Sequence, residues 1–226
     1  MTHRRSERLA DAAGLPAYAV VRQAKRARYD PDTVHAILDQ GMVGHLGFVA
    51  DERPMVIPMA YARAGACLYL HGASKTRAMG LAPGVPACLT VTLLDGIVAA
   101  RSAFNHSVNY RSVVVHGTIR PVGDATEKEE ALRLITDHLL PGRWTEVRPM
   151  LDRERKATGV IALDIKAASA KVREGGPIDD EDDRELSVWG GVVPVVTALG
   201  QPVPDGLQPV DTPIPSSISA ARRKFA

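Results

Sequence analysis

Apolar positions follow two different periods along this chain, and the change falls at residue 43. Before it, Val34, Ile37 and Leu38 keep helical spacing behind Asp30-Pro31-Asp32. Asp30 can cap that helix, Pro31 suits its first position and Gly41 stops it. After it come short runs rich in β-branched and apolar residues. These runs predict strands over Val43–Val49, Met55–Tyr61, Cys67–Leu70, Ala87–Leu93, Ser112–Arg120 and Val160–Lys166. Turn residues separate them at Asp51 to Pro54, Ala64-Gly65, Pro83-Gly84 and Asp95-Gly96. Two further helices are predicted over 74–81 and 127–140, the second with Ala131, Leu134, Ile135 and His138 on one face. Six strands with few helices point to a mainly β fold, an antiparallel barrel with peripheral helices. Regular βαβ alternation is missing, as are a Gly-x-Gly-x-x-Gly loop and a Walker loop, which disfavours a dinucleotide-binding Rossmann domain.

Composition narrows the picture. The 226 residues are 45% apolar and 24% charged with a net charge of +2, so the overall balance selects no particular partner. Aromatic residues, at 4%, are too few for the stacking platforms of single-stranded nucleic-acid binders. Cys67 and Cys88 form no Cys-x-x-Cys pair, and the seven histidines show no metal-ligand spacing. Structural zinc and a disulfide framework are therefore not expected, and a reducing compartment fits. No apolar run reaches the roughly 20 residues of a membrane helix, and none follows Arg4, Arg5 and Arg8, so a cytoplasmic protein is expected.

The chain reads as three segments: a basic extension over 1–29, a β domain over 30–175 and a proline-rich arm over 176–226. The cations of the first segment, Arg22, Lys25, Arg26 and Arg28 among them, read as a solvated extension packed loosely on the domain. The acidic run Asp179 to Asp183 reads as a solvated loop, and the last residues as an irregular or partly disordered arm.

The chemistry concentrates in His71-Gly72-Ala73-Ser74-Lys75-Thr76-Arg77. A glycine, two hydroxyls and two cations at a strand-to-helix junction suit a phosphate dianion, through free N–H groups, the helix dipole and charge-assisted hydrogen bonds. A capped helix with solvated cations has the same sequence. Downstream, Asn109-Tyr110-Arg111-Ser112-Val113-Val114-Val115-His116-Gly117 reads as a strand that brings Arg111 and Ser112 forward.

The order of these pieces resembles the pyridoxamine 5′-phosphate oxidase-like split-barrel family that binds flavin mononucleotide (FMN), which includes flavin reductases and nitroimidazole-reductase-like proteins. The resemblance covers roughly residues 30–175 and implies an FMN-dependent oxidoreductase, a homodimer with the cofactor at its interface. Hydride transfer to or from a small organic substrate is the implied reaction, with NADH or NADPH as electron donor. It implies that Val56, Ile57, Pro58 and Met59 lay their backbone along the flavin, and that Ser74, Lys75, Thr76 and Arg77 grip its phosphate beside Gly72. Arg111 and Ser112 would meet the ring, where a cation stabilises the reduced form, unless Arg111 faces solvent on an edge strand. Trp189 would approach the cofactor or pack on the barrel. His71 is the candidate proton donor or a structural residue at a strand end. Lys171 and Arg173, on a late strand, could also reach the flavin phosphate. Thr76 separates Lys75 from Arg77, and the oxidase's basic C-terminal substrate motif is missing, which points to a divergent relative. The same barrel also admits a deazaflavin or haem, or a non-catalytic flavin-binding module.

Overall fold

The structure, a computed structural model, describes residues 14–209 and 211–226. Arg4, Arg5 and Arg8 lie outside the described residues. In chain order the first elements are β1 (Ala27–Arg28), α1 (Pro31–Gln40), β2 (Gly44–Ala50), β3 (Arg53–Met59), β4 (Tyr61–Ala64) and β5 (Cys67–Ala73). The long strands β6 (Pro86–Ala99) and β7 (Ser107–Pro121) follow, then α2 (Ala125–Leu139), α3 (Arg143–Glu146) and α4 (Asp152–Ala157). Strand β8 (Thr158–Arg173), β9 (Gly191–Pro194) and α5 (Ser216–Lys224) complete the chain. The strands join one mainly antiparallel, unclosed sheet in the order β3-β2-β6-β7-β8-β5-β4, with β1 on β8 and β9 on β6. This is the split-barrel architecture.

Among the described residues nine strands stand where six were expected, for local reasons. The run 55–61 divides because β2 begins at Gly44, opposite Met59, and offers no partner beyond it; Tyr61 turns instead to β5, opposite Leu70. Asp95-Gly96 is not a turn but the middle of β6. Asp95 is neutralised there by Arg111, and the bare Gly96 admits β9, since a Cβ would lie 2.9 Å from Val192 Cγ1. The helix expected over 74–81 is a turn followed by a short 3₁₀ segment, Ala78–Gly80. Ser74 and Thr76 favour local turns over helix, and Gly80 weakens it further. The irregular tail contains α5, whose first turn is capped from another element, as described below.

The chain divides into two compact units. One gathers the described residues up to Gly41 with Thr90–Val115 and Ala167–Val196. Its α1 follows the sequence closely: Asp30 accepts from Thr33 N at 2.8 Å, and Val34, Ile37 and Leu38 are buried. The basic extension is less loose than expected, because Ala27 and Arg28 pair with Lys171 and Ala170 of β8.

The other unit gathers Met42–Leu89, His116–Lys166 and Thr197–Ala226. Leu46, Leu68, Leu70, Leu89, Ile161 and Leu163 are fully buried, and α2 packs across β4 and β5. Its inner face is Ala131, Leu132 and Ile135, with Leu132 in place of the expected Leu134. Arg120 grips Glu127 through two hydrogen bonds, and Tyr69 donates to the same carboxylate at 2.9 Å, tying α2 to the sheet. Among the described residues no helix is long and apolar enough to cross a membrane.

Candidate functional site

Two features of the second unit can hold a ligand. The first is the outer edge of β3, which ends the sheet path and carries no further strand among the described residues. Pro54 and Pro58 lie in this strand, opposite Val49 and His45, which an edge position tolerates because proline has no N–H to give. Val56 is exposed, Pro58 likewise, and Ile57 and Met59 are half-buried. Unpaired backbone along such an edge can hydrogen-bond a planar heterocycle.

Ser74, Lys75, Thr76 and Arg77 are all exposed on the turn after β5. Two of their N–H groups are taken, Ser74 by Ala157 O at 2.8 Å and Thr76 by Ala73 O at 2.9 Å. An anion at this turn would therefore meet side chains rather than a helix N-terminus. Arg77 reaches back toward the β2–β3 hairpin, with Nη2 3.7 Å from Asp51 and Nη1 3.8 Å from Met55 Sδ. Asp51 and Glu52 make that hairpin turn with φ of 51° and 58°, the left-handed conformation of a tight two-residue loop.

The second feature is a cavity of about 620 Å³ beside the same end of β5. His71, Gly72 and Ala73 form one wall, opposite Val160, Gly159 and Thr158 in the ladder. Leu132 and Thr136 from α2, Trp144 from α3 and Met150 close it. Of the lining residues His71 alone brings an imidazole, whose ring can offer a lone pair; the Trp144 indole N–H can only donate. The His71 side chain forms no hydrogen bond among the described residues, and burial pushes the imidazole below its ordinary pKa. It is therefore held neutral, with lone-pair nitrogen available. Gly72 and Gly159 leave the backbone bare beside it, and Met79 fills the space against Gly159.

The first unit holds the remaining residues singled out from sequence. Arg111 is not a free cation: it makes a two-pronged ion pair with Asp95 and donates to Gln40 Oε1 at 2.6 Å. Ser112 Oγ donates to Lys171 O at 3.5 Å. Trp189 is 66% exposed, close to Gly191. The structure thus brings His71, Gly72 and the Ser74–Arg77 turn onto one strand end. The residues sequence reading missed are Thr136, Trp144 and Met150. Trp144 was visible as one of two tryptophans, but its place depends on Asp137, which accepts from its backbone N–H at 3.1 Å.

Known proteins give these features a context. The sequence profile described as pyridoxamine 5′-phosphate oxidase matches residues 30–172. The flavocytochrome Anf3 from Azotobacter vinelandii is 40% identical, with a TM-score of 0.85 over 91% of this chain and 96% of that one. The FAD and haem binding protein from Mycobacterium smegmatis is 33% identical, with a TM-score of 0.82 over 87% and 97%. A protein from Bacteroides thetaiotaomicron described as a candidate 5-nitroimidazole antibiotic resistance protein shares the fold, at 20% identity and a TM-score of 0.53 over 65% and 87%. Among curated proteins none matches the chain.

Proposed function

The chain belongs to the pyridoxamine 5′-phosphate oxidase family, and from that premise we propose that it carries both a flavin and a haem and passes electrons between them. The observation that carries this reading is the apolar cavity with one unpartnered, neutral histidine, His71. Haem needs an apolar slot and takes a neutral imidazole as axial ligand. Leu132, Trp144 and Met150 line the slot and would shield a haem held there from water. Near-full-length likeness to a flavocytochrome and to an FAD and haem binding protein supports the same pairing, and favours FAD over the FMN expected from sequence.

The flavin reading draws on the free edge of β3 and the turn after β5. The backbone of Val56 to Met59 would hold the ring, while Lys75 and Arg77 would neutralise the phosphates with Ser74 and Thr76 as hydroxyl donors. A bound flavin would accept a hydride, that is two electrons, from a reduced nicotinamide, and a bound haem would take electrons one at a time, so the two together would convert one kind of transfer into the other. In this reading His71 is a haem ligand rather than the proton donor for a substrate. A homodimer fits the exposed apolar residues of the first unit, Phe104, Ile178, Trp189 and the cross-strand pair Ile97–Val193.

Protein produced with haem and riboflavin supplied should show a Soret band, and should release flavin on denaturation. His71→Ala should lose the Soret band and keep its flavin. Lys75→Ala and Arg77→Ala should keep haem and each weaken flavin binding about tenfold, or about 1.4 kcal/mol. A colourless wild type, or full haem loading in His71→Ala, would overturn the assignment.

A further inference from the structure

In the unit that contains the basic extension, cations gather without a carboxylate to answer them. Arg173, at the end of β8, is only 7% exposed. Its Nη1 donates to Asn109 Oδ1 and to Gly175 O at 3.4 Å, and its Nη2 to Gly176 O at 3.3 Å. All three acceptors are uncharged. Its Nε is buried with no partner among the described residues. Arg26 lies near enough that its charge, after burial itself, opposes the charge on Arg173.

Backbone pairing brings the other two cations to the same end of β8. β1 sets Ala27 opposite Lys171, which keeps Arg26 beside this end of β8. Lys171 and Arg173 are two residues apart on one strand and share a face. The Lys171 Nζ stands 5.8 Å from the centroid of the Tyr110 ring. Among the described residues, no ion pair joins Arg26, Lys171 or Arg173 to an acid. Glu174, the next residue in the chain, is exposed and pairs with none of them. An arginine stays charged at any physiological pH, so the buried charge of Arg173 calls for an anion.

We propose that Arg26, Lys171 and Arg173, with Asn109 orienting the buried guanidinium, form a binding site for a phosphate-class anion, made from residues other than the Ser74–Arg77 turn. Three positive charges suit a phosphate or pyrophosphate better than a single carboxylate. The free Nε–H of Arg173 offers an unused donor to one of its oxygens. The site does not rest on the haem assignment. It has two possible sources of ligand, the pyrophosphate of FAD itself or a separate phosphorylated molecule.

Phosphorus NMR of the full chain, titrated with inorganic pyrophosphate before and after saturation with FAD, tests the site. Before FAD, pyrophosphate should bind below millimolar concentration, with affinity falling as salt rises. Arg26→Gln and Lys171→Met, both at partly exposed positions that leave the buried Arg173 in place, should each weaken that binding at least tenfold. If saturation with FAD abolishes pyrophosphate binding, the cofactor is the source. If binding persists, the source is a separate ligand. Either result supports the site. Absence of pyrophosphate binding in flavin-free protein, or unchanged affinity in both variants, overturns it. FAD binding measured alongside shows independently whether the flavin reading survives.

Discussion

Arg111 donates to both carboxylate oxygens of Asp95, through Nη2 at 2.7 Å and Nε at 3.0 Å. Sequence reading gave the two residues unrelated jobs, Arg111 as a cation beside the flavin and Asp95 as half of a turn. In the folded chain each neutralises the other. Asp95 raises the Arg111 pKa, and the carboxylate is able to sit inside a strand because its charge is answered from β7. Both side chains are about one-third exposed, 37% and 34%, so water screens much of the attraction.

Asp95→Ala should therefore lower stability by no more than about 1 kcal/mol, a shift of a few degrees in Tm for a chain of this length. Arg111→Ala should cost about the same, and the double variant little more than either one, because a single interaction is being removed. Calorimetry on the three variants gives the coupling directly. If Arg111→Ala instead weakens flavin binding strongly while Asp95→Ala does not, the arginine serves the cofactor rather than the fold.

Close backbone approach yields a sharper contrast. A Cβ on Gly117 would lie 1.9 Å from Asp164 O, where β7 passes β8, and backbone has nowhere to retreat. A Cβ on Gly159 would meet Met79 at 2.7 Å, but a methionine side chain can swing aside. Gly117→Ala should cost about 3 kcal/mol or more, and Gly159→Ala about 1 kcal/mol. Guanidinium denaturation midpoints should fall in that order. Equal losses would mean that Met79 is as fixed as the strand.

What sequence revealed, and what it hid, follows from the range of the interactions. Helix α1 was legible to its cap because Asp30 and Thr33 are neighbours. The turns at Gly65 and Gly84 were legible because each holds a positive φ, 57° and 85°, that glycine adopts at no steric cost. Strand cores were legible from their β-branched runs. Asp95-Gly96 misled because the residues that make it strand, Arg111 and Val192, lie far along the chain. Of the candidate site, His71 and the Ser74–Arg77 turn stood out as local motifs. The cavity did not, because its other walls come from α2, α3 and the start of β8, and nothing local marks Thr136 or Met150 as facing His71. Helix α5 was hidden for the same reason, since its cap is contributed from 71 residues away.

That cap is Glu146 on α3, and it yields a pH prediction. Its carboxylate accepts from Ser216 Oγ at 2.8 Å, from Ser217 N at 3.1 Å and from Ser217 Oγ. A negative charge at the first turn of α5 also suits the helix dipole. At the other end, Lys224 Nζ donates to His138 O, and Phe225 packs edge-on against the His138 ring. The Ser217 hydroxyl first, then that of Ser216, holds the Glu146 pKa down to about 2, from an ordinary value of 4.5. A carboxylate with a depressed folded pKa stabilises fully above its unfolded value, and that contribution fades as pH falls toward the folded one. The clasp should therefore be intact above about pH 4.5 and weaken steadily from there to about pH 2. Hydrogen exchange over α5, expressed as protection factors, should show that decline in the wild type. Glu146→Ala should lose about tenfold of the protection already at neutral pH, because the start of the helix is then uncapped. Since Trp144 shares the α3 turn with Glu146 and lines the cavity beside His71, a haem bound there as proposed should also dissociate faster from this variant. Unchanged protection in Glu146→Ala would show that burial of Ser217, Ala221 and Phe225 holds the helix without the clasp.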